Sequence, residues 1–195
     1  KEAEPLSLDN LSIVNTYPAQ DIATHDRKIY VSCTAPEGAA VKVNIGGVET
    51  ELTQETVTKH AASGYTGVTY SGSADLPETA VGEIKDCGNI KFTLVHGTTQ
   101  ADGPAVRSMG ENTFIKVRAK NDYTQLKITE NSSYYNDYTV QSAGMEDVAL
   151  SLWRGMYKLR MGGYVYADDM EELGYTTEST FSTFSSAKVT NNGRN

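Results

Sequence analysis

Apolar residues recur at every second position along much of this chain, and that period admits strands and little else. Ile29, Val31 and Cys33 alternate with Tyr30, Ser32 and Thr34. Val41, Val43 and Ile45 alternate with Lys42 and Asn44, and Ile90, Phe92 and Leu94 with Lys91, Thr93 and Val95. Successive strand side chains point to opposite faces, so each run describes a sheet with one face in a core. No sustained 3.6-residue apolar stripe competes with this pattern. Twelve Tyr against four Phe and one Trp, with abundant Ser and Thr, suit strands that keep one wet face.

The punctuation between runs sets the expected organisation. Ala35-Pro36-Glu37-Gly38 is a turn, and Gly46-Gly47 joins Val41–Ile45 to Val48–Leu52 as a hairpin, because positive φ costs glycine little. Gln54 to Ser63 reads as connection or strand. Tyr65 to Ala74 reads as a strand with a bulge or a close backbone approach at its glycines, closed by Leu76-Pro77, and His96 to Pro104 as a polar loop before a strand at Phe114 to Ala119. Short strands at about ten-residue spacing predict a β-sandwich over residues 5–119. Cys87 is out of phase with Ile90, Phe92 and Leu94 unless a bulge intervenes.

The pattern changes near Ala119-Lys120-Asn121-Asp122, the expected domain boundary. Beyond it Leu126 to Ile128, Val148, Leu150 and Leu152, and the run Met156 to Met161 are strand-like, with Gly162-Gly163 turning into Tyr164-Val165-Tyr166. Asp168 to Leu173 reads as a single helical turn with acids early. The remainder, residues 175–195, reads as a polar tail or linker.

Charge and motifs narrow the function classes. A net charge of −8 lacks the footprint that holds phosphate backbones, so nucleic acid is not an expected partner. No window of 18 apolar residues predicts a bilayer span, and Lys1 to Pro5 has no signal-peptide core. The chain has no Gly-x-Ser-x-Gly elbow, and His25, His60 and His96 stand apart, so no catalytic residue, metal site or cofactor is expected. Cys33 and Cys87 either pair or remain free thiols. A bridge would stabilise by roughly 4 kcal/mol through chain entropy. A reactive Cys87 beside His96 is the remaining enzymatic possibility.

Two stretches resemble known wall-associated modules. Ile29-Tyr30-Val31-Ser32, Thr34 to Ala39, Val41-Lys42-Val43, Gly64 to Gly72 and Leu76-Pro77 resemble the Ig-like stalk domain of exported cell-wall amidases of clostridia-like bacteria. Tyr157-Lys158-Leu159, Gly162-Gly163-Tyr164-Val165 and the acidic turn at Asp168-Asp169 are similar to the end of a bacterial SH3-like module, although Tyr164 stands where Trp is common. The resemblance implies an all-β chain, an Ig-like sandwich followed by a small SH3-like barrel over residues 120–174. It implies a non-catalytic stalk or wall-targeting region of an exported N-acetylmuramoyl-L-alanine amidase, extracellular or wall-bound, with a further domain in the same protein. Trp153, Tyr157, Tyr164 and Tyr166 are then the expected contacts to peptidoglycan or glycan, since ring faces pack on sugar C–H surfaces. A carbohydrate-binding or adhesin module using Tyr65, Tyr70, Tyr134 and Tyr135 is the alternative.

Overall fold

The computed structural model describes residues 4–5, 13–62, 65–95, 99–130 and 137–178, and it is all-β. The strands in chain order are β1 (Glu4–Pro5), β2 (Val14–Tyr17), β3 (Ile22–Thr24), β4 (Lys28–Ala35), β5 (Val41–Ile45), β6 (Val48–Ala62), β7 (Tyr65–Asp75) and β8 (Ile84–Leu94). They continue as β9 (Gln100–Met109), β10 (Phe114–Ala119), β11 (Thr124–Lys127), β12 (Asp137–Gln141), β13 (Glu146–Trp153), β14 (Met156–Leu159), β15 (Tyr164–Tyr166) and β16 (Met170–Thr176).

The glycine hairpin forms as expected, with Val41 opposite Leu52 and Ile45 opposite Val48. β6 then changes partners. Its first residues pair with β5, and from Thr53 it pairs with β7, with a register shift between Gln54 and Lys59. That switch lays β7, β4 and β2 over β5, β8 and β9. One core results, uniting Val31, Cys33 and Tyr70 of the first layer with Val43, Ile45, Phe92 and Leu94 of the second. Of the two expectations for Tyr65–Ala74, the close approach holds at Gly72, where a Cβ would lie 3.1 Å from the Leu52 side chain, while the bulge lies in β6, for β4 and β7 pair without interruption from Lys28–Asp75 to Ala35–Val68.

Two departures from the sequence reading have clear causes. Gln100 to Pro104, expected as loop, opens β9. Pro104 cannot donate to a ladder, and it is accommodated where the β8–β9 register shifts between Asn89 and Lys91. A second shift, between Asp86 and Asn89, explains the phase of Cys87. Cys33 and Cys87 are both free thiols, so no bridge joins them. Cys33 is buried in the first core, which pushes its thiol up to about 12.

The C-terminal strands are placed around a second core of Ile115, Val117, Leu126, Ala149, Leu159, Val165 and Met170. β10 pairs with β13 and β16, so the strand expected to end the sandwich belongs by hydrogen bonding to the C-terminal group, and the expected 119/120 boundary cuts through that group. β13, β14 and β15 form a meander, a 3-10 turn (Ala167–Asp169) follows, and β16 returns to β10. Met170 to Leu173 is therefore strand and not helix, and Tyr175-Thr176 completes β16. The sheet does not close into the expected barrel.

β3 joins the halves. It runs parallel to β9, with Ile22 opposite Val106, and Ala23 meets Leu152 of β13 from the other side. Strand alternation sends Ile22 into the first core and Ala23 into the second.

Two stability predictions follow from these cores. Phe92→Ala should cost about 3–5 kcal/mol by urea denaturation, while Val81→Ala at an exposed site should stay within about 0.5 kcal/mol. Asp147, opposite Val117 and buried, has one carboxylate oxygen accepting the Val148 N–H at 2.7 Å and the other with no hydrogen-bond partner among the described residues. Burial raises its pKa against the opposing backbone N–H groups. A raised folded value penalises the ionised state at neutral pH, and the penalty disappears on acidification. Asp147→Asn should therefore raise the urea midpoint at neutral pH and remove that gain on lowering pH.

Candidate functional site

Two clefts flank the β3–β13 contact, and both draw walls from both halves of the chain. The larger, about 1440 Å³, is bounded by Gln20, Asp21 and Arg107 on one side and by Glu130, Arg154, Tyr157, Tyr166, Asp168 and Glu172 on the other. The smaller, about 360 Å³, lies between the segment Thr24 to Tyr30 and the outer face of β13, β14 and β15, where Trp153, Lys158 and Tyr164 project.

Pairing register sets which of these side chains share a face. Trp153 pairs with Met156 and Met156 with Tyr166, while Lys158 pairs with Tyr164, so these side chains share one face of the meander. Tyr157 and Val165 occupy the opposite face and help form the second core. The four rings expected to make one cluster are divided: the register separates Tyr157 from Trp153, Tyr164 and Tyr166, and the clefts divide them again. Tyr157 and Tyr166 border the larger cleft, and Trp153 and Tyr164 the smaller.

A charged network stiffens the wall of the larger cleft. Arg107 of β9 donates to Glu172 of β16 and to the Tyr175 hydroxyl at 2.6 Å, with its guanidinium 5.7 Å from the Tyr175 ring centroid. The Tyr157 hydroxyl donates to the second Glu172 oxygen at 2.8 Å. Burial would raise the Glu172 pKa, but hydrogen bonds from Arg107 and Tyr157 override it and hold the carboxyl below its ordinary 4.5. Burial and the neighbouring Glu172 carboxylate push the Tyr157 phenol up, so it remains a donor.

The turn at Arg154-Gly155 borders the larger cleft. Both residues have positive φ, 52° and 70°, the geometry of a two-residue hairpin that follows strand twist. A Cβ at Gly155 would lie 2.8 Å from Gln20 Nε2, so glycine also lets the N-terminal segment approach. Arg154 hydrogen-bonds to Tyr17 and faces Glu130. Lys127 is buried, with its ammonium 5.7 Å from the Tyr166 ring centroid.

Other expected residues fall elsewhere. Tyr70 is buried, its hydroxyl 2.8 Å from Pro36 O and 2.9 Å from Gln54 Oε1, which removes it from any glycan surface. The side chains of Tyr65, Tyr134 and Tyr135, together with His96, lie outside the described residues. Cys87 is half-buried, its thiol 3.6 Å from Lys85 O, and burial raises its pKa. His25 bonds to Thr113 O at 2.8 Å. Among the described residues no three His, Cys, Asp or Glu side chains gather as a metal cluster, and no helix is long and apolar enough to cross a membrane.

Sequence reading missed Asp21, Arg107 and Glu130, and took Glu172 only as one acid of a solvated turn. Arg154-Gly155 between alternating runs carried a legible hairpin signal. In comparison with family models, curated proteins and solved structures, the chain matches none.

Arg107 remains charged throughout, so the network's pH response is that of Glu172. A depressed folded value contributes stability above the ordinary glutamate range and loses it as pH falls through that folded value. Glu172→Gln should lower stability at neutral pH by about 1–3 kcal/mol and flatten the stability profile below the ordinary value of 4.5, as followed by urea midpoints across acid pH.

Proposed function

We propose that this chain is a non-catalytic stalk or wall-targeting region of an exported bacterial cell-wall hydrolase, with the larger cleft as its contact to peptidoglycan. The supporting observation is an open, polar cleft edged by Tyr157 and Tyr166, whose walls come from two packed cores. Ligand sites favour such boundaries, where rigid elements hold a few convergent polar groups.

The lining suits the mixed chemistry of peptidoglycan. Arg154 offers a guanidinium to the carboxylates of stem peptides, and Asp21 and Asp168 offer carboxylates to their amino groups. Tyr166 supplies a ring edge and hydroxyl for N-acetyl or sugar C–H groups. Arg107 and Glu172 satisfy one another and act as wall, not as ligand donors.

Cosedimentation with purified bacterial sacculi tests this reading. The wild-type chain should pellet with the wall, and Tyr166→Ala, which leaves both cores untouched, should reduce the bound fraction about threefold to tenfold. A chain that stays wholly in the supernatant would overturn wall targeting.

A further inference from the structure

The smaller cleft carries a second site whose chemistry differs from that of the first. Three rings form a connected series across the junction. Tyr30 of β4 lies 6.0 Å from Tyr17 of β2 between centroids, and Tyr17 lies 6.4 Å from Trp153 of β13 in an edge-on arrangement at 81°. Tyr164 completes the lining from β15. Tyr30 is 49% exposed, and Trp153 is half-buried against the first core. These rings therefore have fixed positions while part of their surface stays wet.

The charges around the rings balance. Lys28 and Lys158 stand with Asp26 and Glu130, two cations with two carboxylates, all on exposed residues. Lys28 is bridged to Asp75 at 3.0 Å, which holds its ammonium at the rim. Such a lining has no net field to concentrate an anion or a cation. It does provide donors and acceptors side by side, and a hydroxyl-rich molecule uses both: its O–H groups donate to carboxylates and its oxygens accept from ammonium groups. Aromatic faces add a surface on which the axial C–H groups of a pyranose pack without specific charge.

Size agrees with this chemistry. A volume of about 360 Å³ sits near the lower end for small-molecule sites, room for one or two hexose rings with the remainder of a chain outside. We infer that the groove between Thr24–Tyr30 and the β13–β15 face is a binding site for a neutral saccharide, with Trp153 and Tyr30 as ring platforms and Lys158 and Asp26 as hydroxyl partners. These four groups do not line the Tyr157–Tyr166 cleft, although Glu130, Leu152 and Met156 line both. The site does not depend on wall targeting, because any neutral glycan presents the same surfaces.

Trp153 is the single tryptophan of the chain, so its fluorescence reports this groove directly. Titration of the full chain with cellotetraose and with chitotetraose should give a saturable change in emission with at least one of them, and glucuronate and glucosamine should give none at equal concentration. Tyr30→Ala should weaken the titration about tenfold without changing the thermal midpoint, whereas Tyr123→Ala, at a remote exposed ring, should leave it unchanged. Flat emission with both oligosaccharides would overturn the proposal. So would preferential binding of either charged sugar, or a Tyr30→Ala chain that titrates like wild type. The sacculus assay reads the other cleft separately. A chain that titrates but does not sediment retains the groove and loses wall targeting, and one that sediments with flat emission does the reverse.

Discussion

Three residues of β3 hold the molecule in one piece, and the physical reason is the two-residue period of a strand. Ile22 and Ala23 point in opposite directions, one into each core, while their backbone completes a parallel ladder to β9 and touches β13 at Leu152. A linker between independent modules would leave its polar backbone groups to water. Here they are paired, and the strand is buried on both sides. The two halves consequently share a hydrogen-bonded sheet, and their relative position is fixed by packing rather than by the length of a tether.

Both clefts are consequences of that contact. The larger opens where Gln20 and Asp21 lead into β3 and face the Arg154-Gly155 turn. The smaller opens where the chain leaves β3 toward Tyr30 and faces Trp153 and Tyr164. Side chains from widely separated parts of the sequence meet across them, and Arg107 on β9 adds a tie to Glu172 and Tyr175 on β16. Because charge-assisted bonds across a partly desolvated junction are stronger than exposed ion pairs, this tie contributes more than Lys42–Glu49 or Lys91–Asp102, whose side chains are mostly in water.

The two sites divide the chemistry between them. One is polar and mixed in charge, edged by two tyrosines, and suits a ligand bearing carboxylates and amino groups. The other is aromatic and balanced in charge, and suits hydroxyls. Glu130, Leu152 and Met156 line both, and the Arg154-Gly155 turn at the larger cleft holds a non-glycine residue at positive φ between the strands on each side.

The sequence by itself determined the strand class, the Gly46-Gly47 and Gly162-Gly163 hairpins and most core positions, because these depend on local alternation and on which residues tolerate a tight turn. It also marked Trp153, Tyr157, Tyr164 and Tyr166 as neighbours. Only the tertiary structure decided that β10 pairs with the C-terminal strands, that Pro104 sits within β9, and that Ile22–Thr24 joins the halves. Each depends on partners far away in the chain, and a three-residue strand is too short to show a period. The division of the four aromatics between two clefts, and the meeting of Arg107 with Glu172, have the same origin: the packing of one core against the other sets them, and neither is encoded in any local stretch of residues.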